Sequence, residues 1–69
     1  MAHVRIEMDR GKGWEVRQEG DMNLTAEELI RLLPDYCIQY SHRVFLDGKL
    51  IATGERPYGR RGKTRIVVA

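Results

Sequence analysis

The chain has 69 residues, with twelve Lys and Arg against ten Asp and Glu, a net charge of +2, and a single cysteine, Cys37. That length implies one domain over residues 1–69, near the size where a single hydrophobic core supplies roughly 3 to 5 kcal/mol; the lone cysteine excludes an intramolecular disulfide, so packing or a partner must hold the fold. Apolar runs fall short of the roughly 18 residues of a membrane span and the opening M-A-H-V-R-I lacks the apolar region of a secretory signal, so the expectation is a soluble protein of a reducing cytoplasm with no membrane partner.

Val4, Ile6 and Met8 alternate with His3, Arg5, Glu7 and Asp9, the period of a half-buried strand. Trp14, Val16 and Gln18 alternate in the same way with Glu15, Arg17 and Glu19. Arg10-Gly11-Lys12-Gly13 between them reads as a glycine-rich hairpin loop, so the first twenty residues predict a β-hairpin.

A helix follows. Thr25 is its N-cap, Glu28 completes a capping box, and Leu24 can reach Leu29 as a hydrophobic staple. Glu27 and Glu28 suit the positive end of the helix dipole. Ala26, Leu29, Ile30, Leu32 and Leu33 supply an apolar face, and Pro34 is expected to stop the helix, because the residue before a proline is pushed out of the α region. The result is a helix of about two and a half turns.

From Tyr36 onward Tyr36, Ile38, Tyr40, His42, Val44 and Leu46 share one parity, and Asp47-Gly48 is a hairpin turn into Leu50, Ile51, Ala52 and Thr53. A two-residue loop pairs Val44 with Ile51. A three-residue loop with Gly48 in the left-handed region pairs Val44 with Leu50 and puts Val44, Leu50 and Ala52 on one face; this second register is the expected one. Ile66, Val67 and Val68 place apolar residues on both parities of the last segment, Thr64 to Ala69, as in a strand covered on both sides or paired centrally.

The predicted order is ββαβββ, an α+β domain with one helix packed on an antiparallel sheet. The alternative architecture is β-grasp-like, with a mixed sheet whose last strand runs parallel to the first. If consecutive elements reverse direction, as short connections favour, the loops 10–13 and 56–63 fall at the same end of the sheet.

Charge gives that placement its interest. Five of the twelve cations, Arg56, Arg60, Arg61, Lys63 and Arg65, lie within ten residues that contain no acid, so seven cations remain against ten acids in the rest of the chain. Arg65 falls on the last strand, outside the loop. Arg10, Lys12, Arg56, Arg60, Arg61 and Lys63 then form one candidate anion-binding surface, in which glycines 11, 13, 59 and 62 let backbone N–H groups approach a ligand and arginine forks fit phosphate oxygens. Tyr58 is placed to stack on an unpaired base. The expected function is binding of single-stranded or structured RNA or DNA, without catalysis and without a cofactor; the helix is too short, too acidic at its start and too apolar to read a groove.

Other readings compete with this one. Solvated hairpin loops are often rich in Gly, Arg and Lys with no ligand at all, and a net charge of +2 is low for a dedicated nucleic-acid binder. An acidic or nucleic-acid-binding protein surface would also fit the cations, as for a phage- or mobile-element-encoded inhibitor, and an exposed strand edge offers a homodimer or heterocomplex contact. A small ribonuclease could use His42 or Tyr58 with Arg60 and Arg61, but His42 is expected in mid-strand, partly exposed and several residues from the arginines. His3, Cys37 and His42 do not make a metal-ligand spacing. Cys37 is expected to pack as a small hydrophobe, and Ser41 and His42, adjacent in a strand, point to opposite faces.

Overall fold

The computed structural model describes residues 2–38, 40–56 and 64–69. In chain order these form β1 (Ala2–Asp9), β2 (Trp14–Met22), α1 (Ala26–Tyr36), β3 (Ser41–Leu46), β4 (Lys49–Glu55) and β5 (Arg65–Val68). The order is ββαβββ, as expected, and every strand pair is antiparallel in a sheet of order β2-β1-β3-β4-β5. β5 adds to the outer edge of β4 rather than running parallel to β1, which removes the β-grasp alternative. Because β3 is antiparallel to β1, the β1–β2 loop, the end of α1, the start of β3 and the end of β4 all lie at one end of the sheet, here the upper end.

α1 packs across β3, β4 and β5. Leu29 and Leu33 bury against Val4, Ile6, Val44, Ala52 and Cys37, each large aliphatic side chain contributing about 1.5 to 3 kcal/mol. The helix starts as the sequence predicts: Thr25 Oγ1 accepts from the Glu28 N–H at 3.2 Å while Glu28 Oε1 accepts from the Thr25 N–H at 3.1 Å. Its end differs. Pro34 does not stop the helix, which continues to Tyr36 and is closed by the Cys37 N–H donating to the Leu33 carbonyl at 2.9 Å. The exposed proline ring removes one backbone donor, and the complete burial of Leu33 and Cys37 on either side offsets that loss. Tyr36 therefore ends the helix and Ile38, 68% exposed, lies beyond it, so neither belongs to the strand that begins at Ser41.

Two β-bulges overturn the simple alternation. Ile6 pairs with Gln18 but Glu7 pairs with Val16, leaving Arg17 as the extra residue. Trp14 and Val16 thus sit opposite Asp9 and Glu7 on the helix-free face, whereas Gln18 turns to the helix side, so the three do not share one face. In the second hairpin Asp47 and Gly48 both have positive φ, 50° and 80°, which makes a two-residue turn with Leu46 opposite Lys49. Phe45 then pairs with Leu50 and Val44 with Ala52, with Ile51 as the extra residue. Neither expected register survives: Leu50 joins Phe45 on the helix-free face, and Ile51 turns inward against the core.

The last strand is also a correction. β5 is an edge strand, and Val67 and Val68 remain 40% and 62% exposed instead of being covered on both sides.

Candidate functional site

At the upper end, the β1–β2 loop is organised by its own carboxylate. Asp9 Oδ1 accepts from the Gly11 N–H at 2.7 Å and from the Gly13 N–H at 3.3 Å, with both glycines at positive φ, 101° and 98°. The donors expected to face a ligand from glycines 11 and 13 are therefore already occupied. Arg10 Nη2 lies 3.1 Å from Glu15 Oε2 with both side chains about half exposed; such a pair is worth at most about 1 kcal/mol, so a phosphate can compete for the guanidinium. Lys12 projects from the loop into solvent.

Two strand positions across, the Arg56 N–H donates to Ser41 Oγ at 3.0 Å, and the Thr64 hydroxyl donates to the Cys37 carbonyl at 3.1 Å. Both ends of the basic segment are thus anchored beside the start of β3 and the end of α1. The columns of β1 and β4 are separated by two inter-strand steps, about 10 Å, which sets Arg10 and Lys12 at the same end of the sheet as Arg56. Tyr58, Arg60, Arg61 and Lys63 lie outside the described residues. Arg65 opens β5 opposite Glu55.

Beside this end, on the helix side, an open groove of about 390 Å³ separates the C-terminal turn of α1 from β1 and β2. Arg17 enters it from the face of β2 opposite Trp14 and Val16: Nη1 donates to His42 Nε2 at 2.8 Å and the guanidinium carbon lies 4.9 Å from the centre of the Tyr36 ring. The His42 Nδ1–H donates to the Tyr40 carbonyl at 2.9 Å, which fixes Nε2 as the acceptor for Arg17. Asp35, Ile38 and Tyr40 complete the rim. His42 is 1% exposed, not partly exposed, and stands second in β3 at the upper end rather than in mid-strand. Burial holds its pKa below the ordinary value, with the Arg17 charge adding in the same direction against the opposing effect of the Tyr40 carbonyl. With both ring nitrogens engaged, His42 has no site from which to act as a general base, which weakens the ribonuclease reading for a different reason from the one the sequence suggested.

The helix-free face of the sheet holds a second constellation. Glu7, 8% exposed as a residue, accepts from Arg43 Nε. Arg5 Nε approaches Glu7 Oε2 at 3.1 Å without hydrogen-bond geometry, so that contact is Coulombic. Arg43 lies 4.3 Å from the centre of the Trp14 ring and 5.2 Å from that of Phe45, and Arg5 lies 4.4 Å from Phe45 on its own side. The parity of β1 and β3 places Arg5, Glu7, Arg43 and Phe45 together. Trp14 joins them because the loop 10–13 sets it opposite Asp9, on the same face.

Cys37 is fully buried, its thiol donating to the Gly54 carbonyl at 3.5 Å. Burial pushes its pKa up, against smaller opposing effects of the His42 backbone N–H and the Arg56 charge, so it packs as the expected small hydrophobe rather than as a thiolate. Ser41 and His42 point to opposite faces. Among the described residues no group of three or more His, Cys, Asp or Glu side chains could hold a metal ion, and no helix is long and apolar enough to cross a membrane. No protein-family model matches the chain, and no significant similarity to curated proteins or solved structures is found.

Proposed function

We propose that this protein binds single-stranded or structured RNA or DNA through the upper end of its sheet, without catalysing a reaction on it. The observation that carries this reading is the common placement of the β1–β2 loop, with Arg10 and Lys12, and the anchored flanks of the basic segment at Arg56 and Thr64. The segment between those flanks contributes Arg60, Arg61 and Lys63, with Tyr58 as a stacking ring. The helix-free face is a poor alternative for a polyanion. Glu7, Asp9, Glu19, Asp21 and Glu55 there oppose Arg5, Arg43 and Arg65 by strand register, and the two central arginines are already engaged by Glu7.

The test is binding of the full chain to short single-stranded and duplex RNA and DNA at two salt concentrations. Affinity should fall steeply with salt, as expected when cations displace counterions from phosphates. A Lys12→Ala/Arg60→Ala/Arg61→Ala variant should bind more weakly and with a shallower salt slope. Absence of binding at low salt sinks the proposal.

One observation favours a second reading, a protein-interaction module. Trp14, Arg43, Phe45 and Arg5 form a continuous stack on the helix-free face, and Trp and Arg are the residue types that dominate protein interface energies. A partner recognised there would bind with weak salt dependence and would be lost on Trp14→Ala but retained on Arg60→Ala/Arg61→Ala.

A further inference from the structure

We infer that the groove between the end of α1 and the first hairpin seats one unpaired nucleobase, and that Asp35 selects bases carrying an exocyclic amine. This deepens the nucleic-acid reading and rests on it. The groove's volume of about 390 Å³ falls at the lower end of the range for small-molecule sites. Tyr36, Tyr40, Ile38 and Met8 give it aromatic and apolar walls, the lining on which a planar ring gains most.

Its polar groups suit a base rather than a phosphate. Arg17 and Asp35 are the charged lining residues and cancel, and His42 is held neutral by its two hydrogen bonds. The groove itself therefore offers no net attraction for an anion, and the phosphates on either side of a seated base fall to the cations at the upper end. The Arg17 guanidinium has five N–H donors and spends one on His42. The others remain to donate to a base carbonyl or ring nitrogen, while the exposed Asp35 carboxylate can accept only from an N–H edge. Cytosine, adenine and guanine present an exocyclic amine to such an acceptor; uracil and thymine offer only N3–H, flanked by two carbonyl oxygens that repel a carboxylate.

The position of Arg17 is an independent observation pointing the same way. Trp14 and Val16 lie on the helix-free face, so alternation turns Arg17 to the helix side, where it is the bulge's extra residue with no partner in β1. It stands over the groove with Nε2 of a buried histidine holding it and the Tyr36 ring, 5.7 Å from that histidine ring, beneath it. Bulges are common at sheet edges, where β2 lies, and beside active sites.

The experiment titrates the full chain with cytidine and uridine monophosphates and with labelled penta-cytidine and penta-uridine, following anisotropy and the NMR shifts of residues 35–42. The mononucleotides distinguish a free-nucleotide seat from one that needs the strand. Penta-cytidine should bind more tightly than penta-uridine, with shifts centred on Tyr36, Tyr40 and Arg17. Tyr40→Ala should weaken the cytidine oligomer about tenfold, and Asp35→Asn, an exposed change that leaves the core untouched, should erase the preference between the two oligomers. Equal binding of both oligomers by the parent chain, or unchanged binding and preference in Asp35→Asn and Tyr40→Ala, overturns the base seat. If Lys12→Ala/Arg60→Ala/Arg61→Ala still weakens binding in that case, the broader nucleic-acid proposal stands without it. Failure of every oligomer to bind at low salt removes both.

Discussion

Arg17 Nη1 and His42 Nε2, 25 positions apart in sequence, meet at 2.8 Å, and the geometry requires the imidazole to be neutral. A proton on Nε2 would place two cations at hydrogen-bond distance and leave the buried ring without its acceptor role.

Stability should therefore depend on pH through His42. Its folded pKa lies below the ordinary value of 6.5, so above pH 6.5 neither state takes up the proton and the full contribution is present. As pH falls through 6.5 the unfolded chain binds a proton that the folded chain refuses, and stability drops until the depressed folded pKa is reached. Urea unfolding at pH 7.5 and 5.5 should show the loss, and His42→Gln should reduce it. An undiminished difference in that variant would assign the effect to other groups.

Glu7 should be worth more than a surface carboxylate. Its side chain is 10% exposed while Arg5 and Arg43 are 36% and 28% exposed, so Glu7→Gln leaves two partly covered guanidinium groups without a counter-charge. A loss of about 1 to 3 kcal/mol is expected. A denaturation midpoint within about 0.5 kcal/mol of the parent would place this cluster with ordinary solvated ion pairs.

Gly54 is required by what faces it. A Cβ at this position would collide with Cys37 Sγ and press on Ile66 Cδ1 at 3.3 Å. Gly54→Ala should cost about 1 to 3 kcal/mol, and adding Cys37→Ala should recover part of that loss, a non-additivity that a double-mutant cycle detects. Simple additivity of the two changes would show that the sheet and helix move apart instead.

Thr25→Ala removes the hydroxyl that accepts the Glu28 N–H and leaves the reciprocal bond from the Thr25 N–H in place. A cost of about 1 kcal/mol is expected, with Thr25→Ser recovering most of it. Equal stability of the Ala and Ser variants would mean that burial of Leu29 and Leu33 alone defines the helix start.

Much of this architecture is readable in the residues. The capping box at Thr25, the glycine loop after Asp9 and the Asp47-Gly48 turn each act over a few positions, and local chemistry decides them. What escapes is decided by long-range burial. Leu33 and Cys37 draw the helix past Pro34, which shortens β3 and brings His42 to the upper end. The extra residues Arg17 and Ile51 reset strand parity midway, so Gln18 parts from Trp14 and Val16, and Leu50 from Val44 and Ala52. Within the candidate site, the cations were visible as charge and the common end followed from strand direction. The Asp9 carboxylate filling the loop, and the groove itself, depend on coordinates that no periodicity encodes.

The ladder between β1 and β3 joins two sequence-local pieces. On one side stands the hairpin of residues 2–22; on the other, the helix and the three-stranded meander over which it packs. Their seam is Val4 opposite Leu46, Ile6 opposite Val44 and Met8 opposite His42, reinforced by Arg17 on His42 and by the Tyr36 hydroxyl donating to Gln18. Each piece can order its own short-range contacts before these seam pairs, 34 to 42 positions apart, come together, so docking along this seam is the natural late step of folding. Reversed, it makes the hairpin the part that peels away first, with β2 amides exchanging ahead of those in β3 and β4.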